Sequence, residues 1–460
     1  MSGIPVTAIF DIGKTNKKFF LFDKDLKEVH REYISFHEIK DEDGFPTENL
    51  SALLTWIHQV LKRIFENKEF EIKTLNFSTY GASLVHLGKD GSVLTPLYNY
   101  LKPMPQDILQ KFAELHGDPQ KIASDTASPP DGFLNAGMQL FWLKYKKPEI
   151  FTNLECSLHF PQYLSYVFTG KPISEYTSIG CHTSLWDYSK KHYHPWVIKE
   201  GLDKFLAPIV PSSTTFDTVF NEYKIKVGTG IHDSSAALIP YILANKKPFL
   251  LVSTGTWSVS LNPFCVDFDS DKQQDNDHLN YMQPDGKAVR ATRFFMGKEY
   301  QVQTELLTQY FKVAANYHKT IAFDPCIYHK IQQLNAPVFH FSNILINRKQ
   351  PEKTNLGTFS SFEEAYHCLL LELVKLQTEV IEAAIGNTPI KKIFIDGGFT
   401  DNDIFVKLIA HHFSDYKVRT TTSSLGSALG AAMVVNEKPK GKKLLRKHYQ
   451  MKKMISKLPE

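Results

Sequence analysis

Two short segments carry residue types suited to phosphate chemistry, and they share one pattern. The first runs Ala8-Ile9-Phe10-Asp11-Ile12-Gly13-Lys14-Thr15-Asn16-Lys17-Lys18-Phe19-Phe20-Leu21-Phe22. The second runs Phe249-Leu250-Leu251-Val252-Ser253-Thr254-Gly255-Thr256-Trp257-Ser258-Val259-Ser260-Leu261. Each reads as an apolar strand, a tight turn and a second apolar strand, with Gly13 in the place of Gly255 and Asp11 in that of Ser253. Such a hairpin tip exposes backbone N–H groups and hydroxyls behind little side-chain bulk, which suits phosphate oxygens. Read singly, an Asp-x-Gly-x-Thr stretch is an ordinary turn. Its repetition, once per half, points to a nucleotide clamped between two related domains. Asp11, closing a buried strand, suits Mg²⁺ held through water, and Lys14 suits a β- or γ-phosphate.

A second constellation is Gly228-Thr229-Gly230-Ile231-His232-Asp233-Ser234-Ser235-Ala236-Ala237-Leu238. Asp233 stands where a helix should begin. There it can be a plain N-cap, a general base, or both, because a helix N-terminus favours the carboxylate form and fixes its direction. His232 suits a sugar hydroxyl or a satisfied structural role. A third is Ile395-Asp396-Gly397-Gly398-Phe399, whose paired glycines at a strand-to-helix turn let a flat ligand such as adenosine lie on the backbone. No G-x-x-x-x-G-K-[ST] loop occurs, which excludes a P-loop enzyme.

The elements that must position these residues read as mixed α/β. Strands are expected near 6–11, 17–23, 30–36 and 73–79. Thr47 is expected to cap a helix carrying Leu50, Leu53, Leu54, Ile57, Leu61, Ile64 and Phe65 at helical spacing. Helices are expected at 137–147, 159–169 and 360–385, and from about Asp401. Residues 206–216 read as a loop, and 225–245 as strand, turn and helix. Leu425–Ala432 reads as a small-residue helix permitting close packing. The segment 266–277 is acidic and amide-rich, and the tail 438–457 is Lys-rich, a solvated terminal face.

At 460 residues the chain is too long for one core. Two domains are expected, 1–245 and 246–460. Hydrophobic residues make up 42%, charged residues 22%, and the net charge is +4. That balance describes a globular protein and gives no sign of nucleic-acid binding. No apolar run is long enough for a membrane span, and the N-terminus lacks a secretory pattern. The five scattered cysteines include no Cys-x-x-Cys pair, so reduced thiols in a cytoplasmic protein are expected. An apolar stretch within 300–345 is a candidate homodimer interface.

With these residues assembled, the chain resembles the FGGY family of carbohydrate kinases, of the actin, hexokinase and Hsp70 superfamily, over roughly 6–435. The likeness includes Pro161-Gln162-Tyr163-Leu164-Ser165-Tyr166-Val167-Phe168-Thr169-Gly170, then Glu175-Tyr176-Thr177-Ser178, Trp186-Asp187 and Pro208-Ile209-Val210-Pro211-Ser212. It implies two ribonuclease-H-like α/β domains flanking an ATP and sugar cleft, and transfer of the γ-phosphate of ATP, with Mg²⁺, to a sugar or polyol hydroxyl. It implies Asp233 as catalytic base and Asp11 near the metal. Gly13, Lys14, Thr15 and Asn16 would line one phosphate hairpin and Thr254, Gly255 and Thr256 the other, with Gly397 and Gly398 at adenosine. Gly81, Ala82, Ser83 and His232 would meet the sugar. Within the family, His232-Asp233-Ser234 and Ser253–Trp257 are most similar to the rhamnulokinase and fuculokinase branch, whose substrates are 6-deoxyketohexoses. The loop Thr79-Tyr80-Gly81-Ala82-Ser83 departs from that branch, a substrate-facing carboxylate giving way to the hydroxyl of Ser83, and Tyr98-Asn99-Tyr100-Leu101-Lys102 departs as well. Two other readings stand beside the kinase. One is a sugar sensor that kept the fold and lost catalysis, and the other is an actin- or Hsp70-like ATPase that moves a protein partner.

Overall fold

The strand Ile4–Ile12 organises the first half of the molecule, and its alternating side chains explain why. In this computed structural model, which describes residues 3–265, 278–334, 336–344, 350–421, 425–436 and 451–454, it pairs antiparallel with Lys17–Asp23 and parallel with Phe70–Thr79. Successive strand residues point to opposite faces. On one face, Val6, Ala8, Phe10 and Ile12 join a buried cluster with Leu53, Trp56, Ile57 and Leu61 of the helix Leu50–Glu66. Phe10 meets Trp56 edge-on at 5.3 Å and stacks on Phe77 at 6.0 Å. Each such large apolar side chain, fully buried, contributes roughly 1.5–3 kcal/mol. The cap of this helix is Asn49, whose side chain accepts from Ala52 N at 3.0 Å. The expected cap, Thr47, instead donates its hydroxyl to Leu97 O.

On the opposite face of the same strand, Thr7 and Asp11 meet the helix Gly426–Val434 and its flank. Ser427 Oγ donates to Asp11 Oδ1 at 2.8 Å and Asn436 Nδ2 contacts Thr7 Oγ1 at 3.3 Å. Asn76, on the neighbouring strand, donates to Ala431 O at 2.9 Å. The small residues of this helix let it approach closely: a Cβ on Gly430 would lie 1.8 Å from Ala236 O in the helix Asp233–Ala244.

The chain forms two compact units. One comprises Met1–Leu243, Val266–Val289 and Leu425–Gly441, the other Ala244–Cys265, Arg290–Ser424 and Lys442–Glu460. In the first, the strands lie in the order Thr215–Phe220, Tyr223–Gly228, Phe70–Thr79, Ile4–Ile12, Lys17–Asp23, Glu28–Ile34. The expected loop 206–216 therefore holds the short strand Ile209–Val210 and the start of Thr215–Phe220.

The second unit repeats the central topology. Leu250–Thr254 pairs antiparallel with Ser258–Asn262 and parallel with Lys392–Gly397, which in turn pairs parallel with Lys417–Thr420. Ser258–Asn262 pairs antiparallel with residues 290–294. Leu250, Val252, Ile393 and Ile395 form one buried cluster with Leu369, Leu370 and Leu373 of the helix Phe362–Ile385. The helix expected from about Asp401 is a 3₁₀ turn, Gly398–Asp401, followed by Asp403–His412 capped by Asn402. The acidic segment 266–277 and most of the Lys-rich tail lie outside the described residues. No helix among the described residues is long and apolar enough to cross a membrane.

Candidate active site

The turn after Ile4–Ile12 closes with Gly13 N donating to Asn16 O at 3.0 Å, and Thr15 and Asn16 are exposed at its tip. A buried ion pair braces it: Lys17 Nζ donates to Glu48 Oε2 at 2.8 Å and to Lys14 O at 3.1 Å. Lys14 itself turns toward Glu38, 2.8 Å away, with its ammonium 5.9 Å from the ring centres of Tyr80 and Tyr100. The ammonium beside Asp11 belongs to Lys18, 3.5 Å from Asp11 Oδ2. Strand register explains this, because Asp11 and Lys18 are cross-strand partners.

Asp233 opens its helix at the end of a loop with little freedom. Gly230 has φ +77° and a Cβ there would lie 2.3 Å from Pro161 O, so only glycine fits. Gly230 N donates to Asn76 Oδ1 at 3.0 Å, and Gln162 Nε2 donates to Thr229 O and Gly230 O at 3.2 and 3.1 Å. Ser165 Oγ donates to Gly228 O at 2.7 Å. His232 N donates to Thr177 Oγ1 at 3.1 Å, and Thr177 Oγ1 in turn donates to Glu175 Oε1 at 2.6 Å. Ser212 Oγ also donates to Glu175, and Thr229 Oγ1 donates to Ser212 O at 3.1 Å. The segments Pro161–Gly170, Glu175–Ser178 and Pro208–Ser212 thus serve one purpose, to fix the chain that carries Asp233.

Asp233 Oδ1 accepts from Ser234 N at 2.5 Å and Ser234 Oγ at 3.1 Å, and lies 3.2 Å from His232 Nε2. Burial, then the negative charge of Asp11, push its carboxyl up to about 7, against the bonds from Ser234 and the charge of Lys18. About a third of its side-chain surface (31%) stays open, so a hydroxyl can reach the group while its surroundings still desolvate it. Burial holds His232 neutral, down to about 4. Its Nδ1 lies 3.3 Å from Ser235 Oγ, so a hydrogen bond joins the two whichever tautomer is present.

The turn Gly81–Ser83 lies against this group. A Cβ on Gly81 would fall 2.3 Å from Cys181 Sγ and 3.1 Å from His232 Cδ2. Ala82 adopts φ +57°, a strained value for a residue with a side chain. Its carbonyl accepts from Gln139 Nε2 at 2.6 Å. Cys181 Sγ is 3.2 Å from His232 Nε2 and 3.4 Å from His182 Nε2, and the Tyr281 ring centre is 5.1 Å from that of His232. Tyr98 and Lys102 face elsewhere: Lys102 Nζ donates to Asp41 and Asp43 at 2.6 Å each, over the Tyr98 and Trp142 rings.

In the second unit the two expected nucleotide motifs meet directly. Thr254 and Gly397 are register partners. Gly397 has φ +91° and a Cβ there would lie 1.9 Å from Thr254 O. Thr254 Oγ1 donates to Asp396 O at 2.6 Å and accepts from Phe399 N at 3.1 Å. Gly255 and Thr256 are exposed, and the helix Met296–Phe311 begins against them, Gly297 N donating to Thr256 O at 3.1 Å. A Cβ on Gly398 would meet nothing within 4 Å, so its backbone is open to a flat ligand.

The first unit therefore gathers Asp11, Asp233, His232 and the Gly81–Ser83 turn, and the second gathers Thr254, Gly255, Thr256, Gly397 and Gly398. Among the described residues no group of three or more His, Cys, Asp or Glu side chains could hold a metal by itself. A single buried carboxylate, Asp11, suits Mg²⁺ that arrives on a phosphate and keeps its waters. Sequence reasoning missed Lys18, Ser427, Cys181, His182 and His159. Counting register across the first turn could have found Lys18. Ser427 carries no such signal.

Family models match both halves of the chain. Residues 6–239 match the N-terminal domain of the FGGY family of carbohydrate kinases, and residues 246–443 match the carbohydrate kinase FGGY C-terminal domain. A rhamnulokinase of Halalkalibacterium halodurans is 24% identical over 268 residues, 55% of this chain and 54% of the relative, so the match spans about half the length of that curated relative. In fold, a carbohydrate kinase from Novosphingobium aromaticivorans superposes with a TM-score of 0.75 at 23% identity, covering 94% of this chain and 92% of the other. Xylulose kinase from Lactobacillus acidophilus superposes with a TM-score of 0.76 at 16% identity, covering 98% and 93%.

Proposed function

From a chain that belongs to the FGGY family of carbohydrate kinases, we propose an enzyme that transfers the γ-phosphate of ATP to a hydroxyl of a small ketose. The observation that carries this reading is Asp233: a carboxyl raised to about 7, held by three sequence-distant segments beside a buried second carboxylate, and still reachable. A general base serves best when its pKa lies near the working pH. The acceptor hydroxyl gives its proton to Asp233 as its oxygen bonds to the γ-phosphorus. The bond from that phosphorus to the β,γ-bridging oxygen breaks, and ADP leaves. Ser234 N and Oγ hold Asp233 in direction, with neutral His232 alongside. Lys18 offsets the charge of Asp11 at the same place. The exposed turn at Gly255 and Thr256, closed by Gly255 N donating to Trp257 O at 2.9 Å, and the open backbone at Gly398 suit phosphate and adenosine. The turn Gly13–Asn16 offers its backbone, and Lys14 would have to leave Glu38 to reach a phosphate. Magnesium, held near Asp11 when bound on the nucleotide, neutralises charge on the transferring group.

For the acceptor, the 6-deoxyketohexoses rhamnulose and fuculose come first, supported by the rhamnulokinase relative and by His232-Asp233-Ser234. Xylulose is the next candidate, supported by fold likeness alone. The test is ADP release from ATP and Mg²⁺ across a panel of ketoses and polyols. Acceptor-dependent ADP is expected. ADP release that ignores the sugar would replace the kinase by an ATPase, and sugar binding without ADP release would replace it by a sensor.

A further inference from the structure

Three buried polar atoms around the Gly81–Ser83 turn have no hydrogen-bond partner among the described residues: Ser83 Oγ, His159 Nε2 and Gln139 Oε1. Their residues are 2%, 5% and 0% exposed. A buried polar atom left unpaired costs about 1–3 kcal/mol, and native interiors rarely tolerate several together. Each of the three is tied to the turn. Gln139 donates through Nε2 to Ala82 O at 2.6 Å, which fixes the amide with its oxygen still free. His159 ends the strand Leu154–His159 opposite Leu84, and the next residue, Phe160, donates its N–H to Ser83 O at 3.1 Å. The His159 imidazole is near enough to His232 to interact with it electrostatically, and burial holds it neutral, down to about 4. A neutral imidazole presents one nitrogen that donates or accepts according to tautomer, which suits a hydroxyl and not a charged group.

We infer that His159 is a specificity-determining residue: its Nε2 hydrogen-bonds an acceptor hydroxyl other than the one facing Asp233. Ser83 and Gln139, bonded to the same stretch through Phe160 N and Ala82 O, carry the other two unpaired atoms. A site built to pair a substrate hydroxyl rejects the analogue that lacks it, because its own buried group is then orphaned. This inference rests on the sugar-kinase reading and adds the side chain that chooses among sugars.

The experiment compares wild type with His159→Leu and His159→Gln over ketoses and their single-deoxy analogues. For the best acceptor, His159→Leu should lower kcat/KM by about 10- to 100-fold, with KM for ATP unchanged. One deoxy analogue should lose little further in that variant, which identifies the hydroxyl. His159→Gln, which keeps a polar group of similar reach, should recover part of the loss. If His159→Leu does not fold, a changed acceptor ranking in His159→Gln supports the assignment and an unchanged one overturns it. A uniform loss for every acceptor, or no loss, also overturns it. Should wild type phosphorylate nothing, which sinks the kinase reading instead, calorimetric sugar binding decides: binding by wild type that His159→Leu loses supports the role, and any other result rejects it.

Discussion

The two hairpins share one topology and differ in electrostatics. In the first, Asp11, Lys14, Lys17 and Lys18 crowd the turn, and the brace is an ion pair, Lys17 with Glu48. In the second, the turn Thr254–Thr256 carries no charge and is braced by hydroxyl and backbone bonds to Asp396 and Phe399. A duplicated strand pair leaves the backbone amides where they were. The residue before the glycine turn then decides what each copy does. Asp11 in one copy shapes the acidity of the neighbouring Asp233, whereas Ser253 in the other brings no charge of its own beside its register partner Asp396.

The sharpest way to break this division is Asp233→Asn. It should lower kcat by about 10²–10⁴-fold while ATP affinity, followed by nucleotide titration, stays near wild type. Retained turnover would remove the base from the first unit. Next in size is a contrast between glycines of the second unit. Gly397→Ala forces a Cβ to 1.9 Å from Thr254 O at φ +91°, so thermal unfolding should show a loss of about 1–3 kcal/mol together with a raised KM for ATP. Gly255→Ala, whose Cβ would meet nothing nearer than 3.7 Å, should unfold at the wild-type temperature.

A finer test concerns the charge of the first hairpin. As Asp233 must be deprotonated to accept a proton, kcat/KM should rise with pH through about 7. Asp11 raises that pKa and Lys18 lowers it. Asp11→Asn should therefore move the acidic limb of the pH–rate profile to lower pH, and Lys18→Met should move it to higher pH. The smallest effect is expected from Lys14→Met. Its ammonium pairs with a half-exposed Glu38, an interaction worth about 0–1 kcal/mol, so kcat/KM should change by no more than about fivefold. A larger loss would show that Lys14 leaves Glu38 for the phosphate.

Local signals explain how much of this could be read in advance. The hairpins, the helix beginning at Asp233 and the glycine pair at 397–398 depend on residues close in sequence, where turn chemistry and apolar periodicity act. Thr47, although a good capping type, leaves the cap of the helix Leu50–Glu66 to Asn49 because Leu97, fifty residues away, engages its hydroxyl. His159 reads as an ordinary residue ahead of a proline-started helix, and only its place beside Ser83 makes its free nitrogen informative.

By itself, then, the amino-acid sequence determined where the backbone turns tightly, which strands are buried, and which carboxylates stand at their ends, because sterics and side-chain period act over a few residues. The tertiary structure decided which of those groups share a field. Ser427 reaches Asp11 from a helix 416 residues later, Lys14 faces Glu38 while Lys18 faces Asp11, and burial together with Asp11 raises Asp233. Desolvation and Coulomb interaction depend on distance through the folded protein and not along the chain, and no local pattern encodes them.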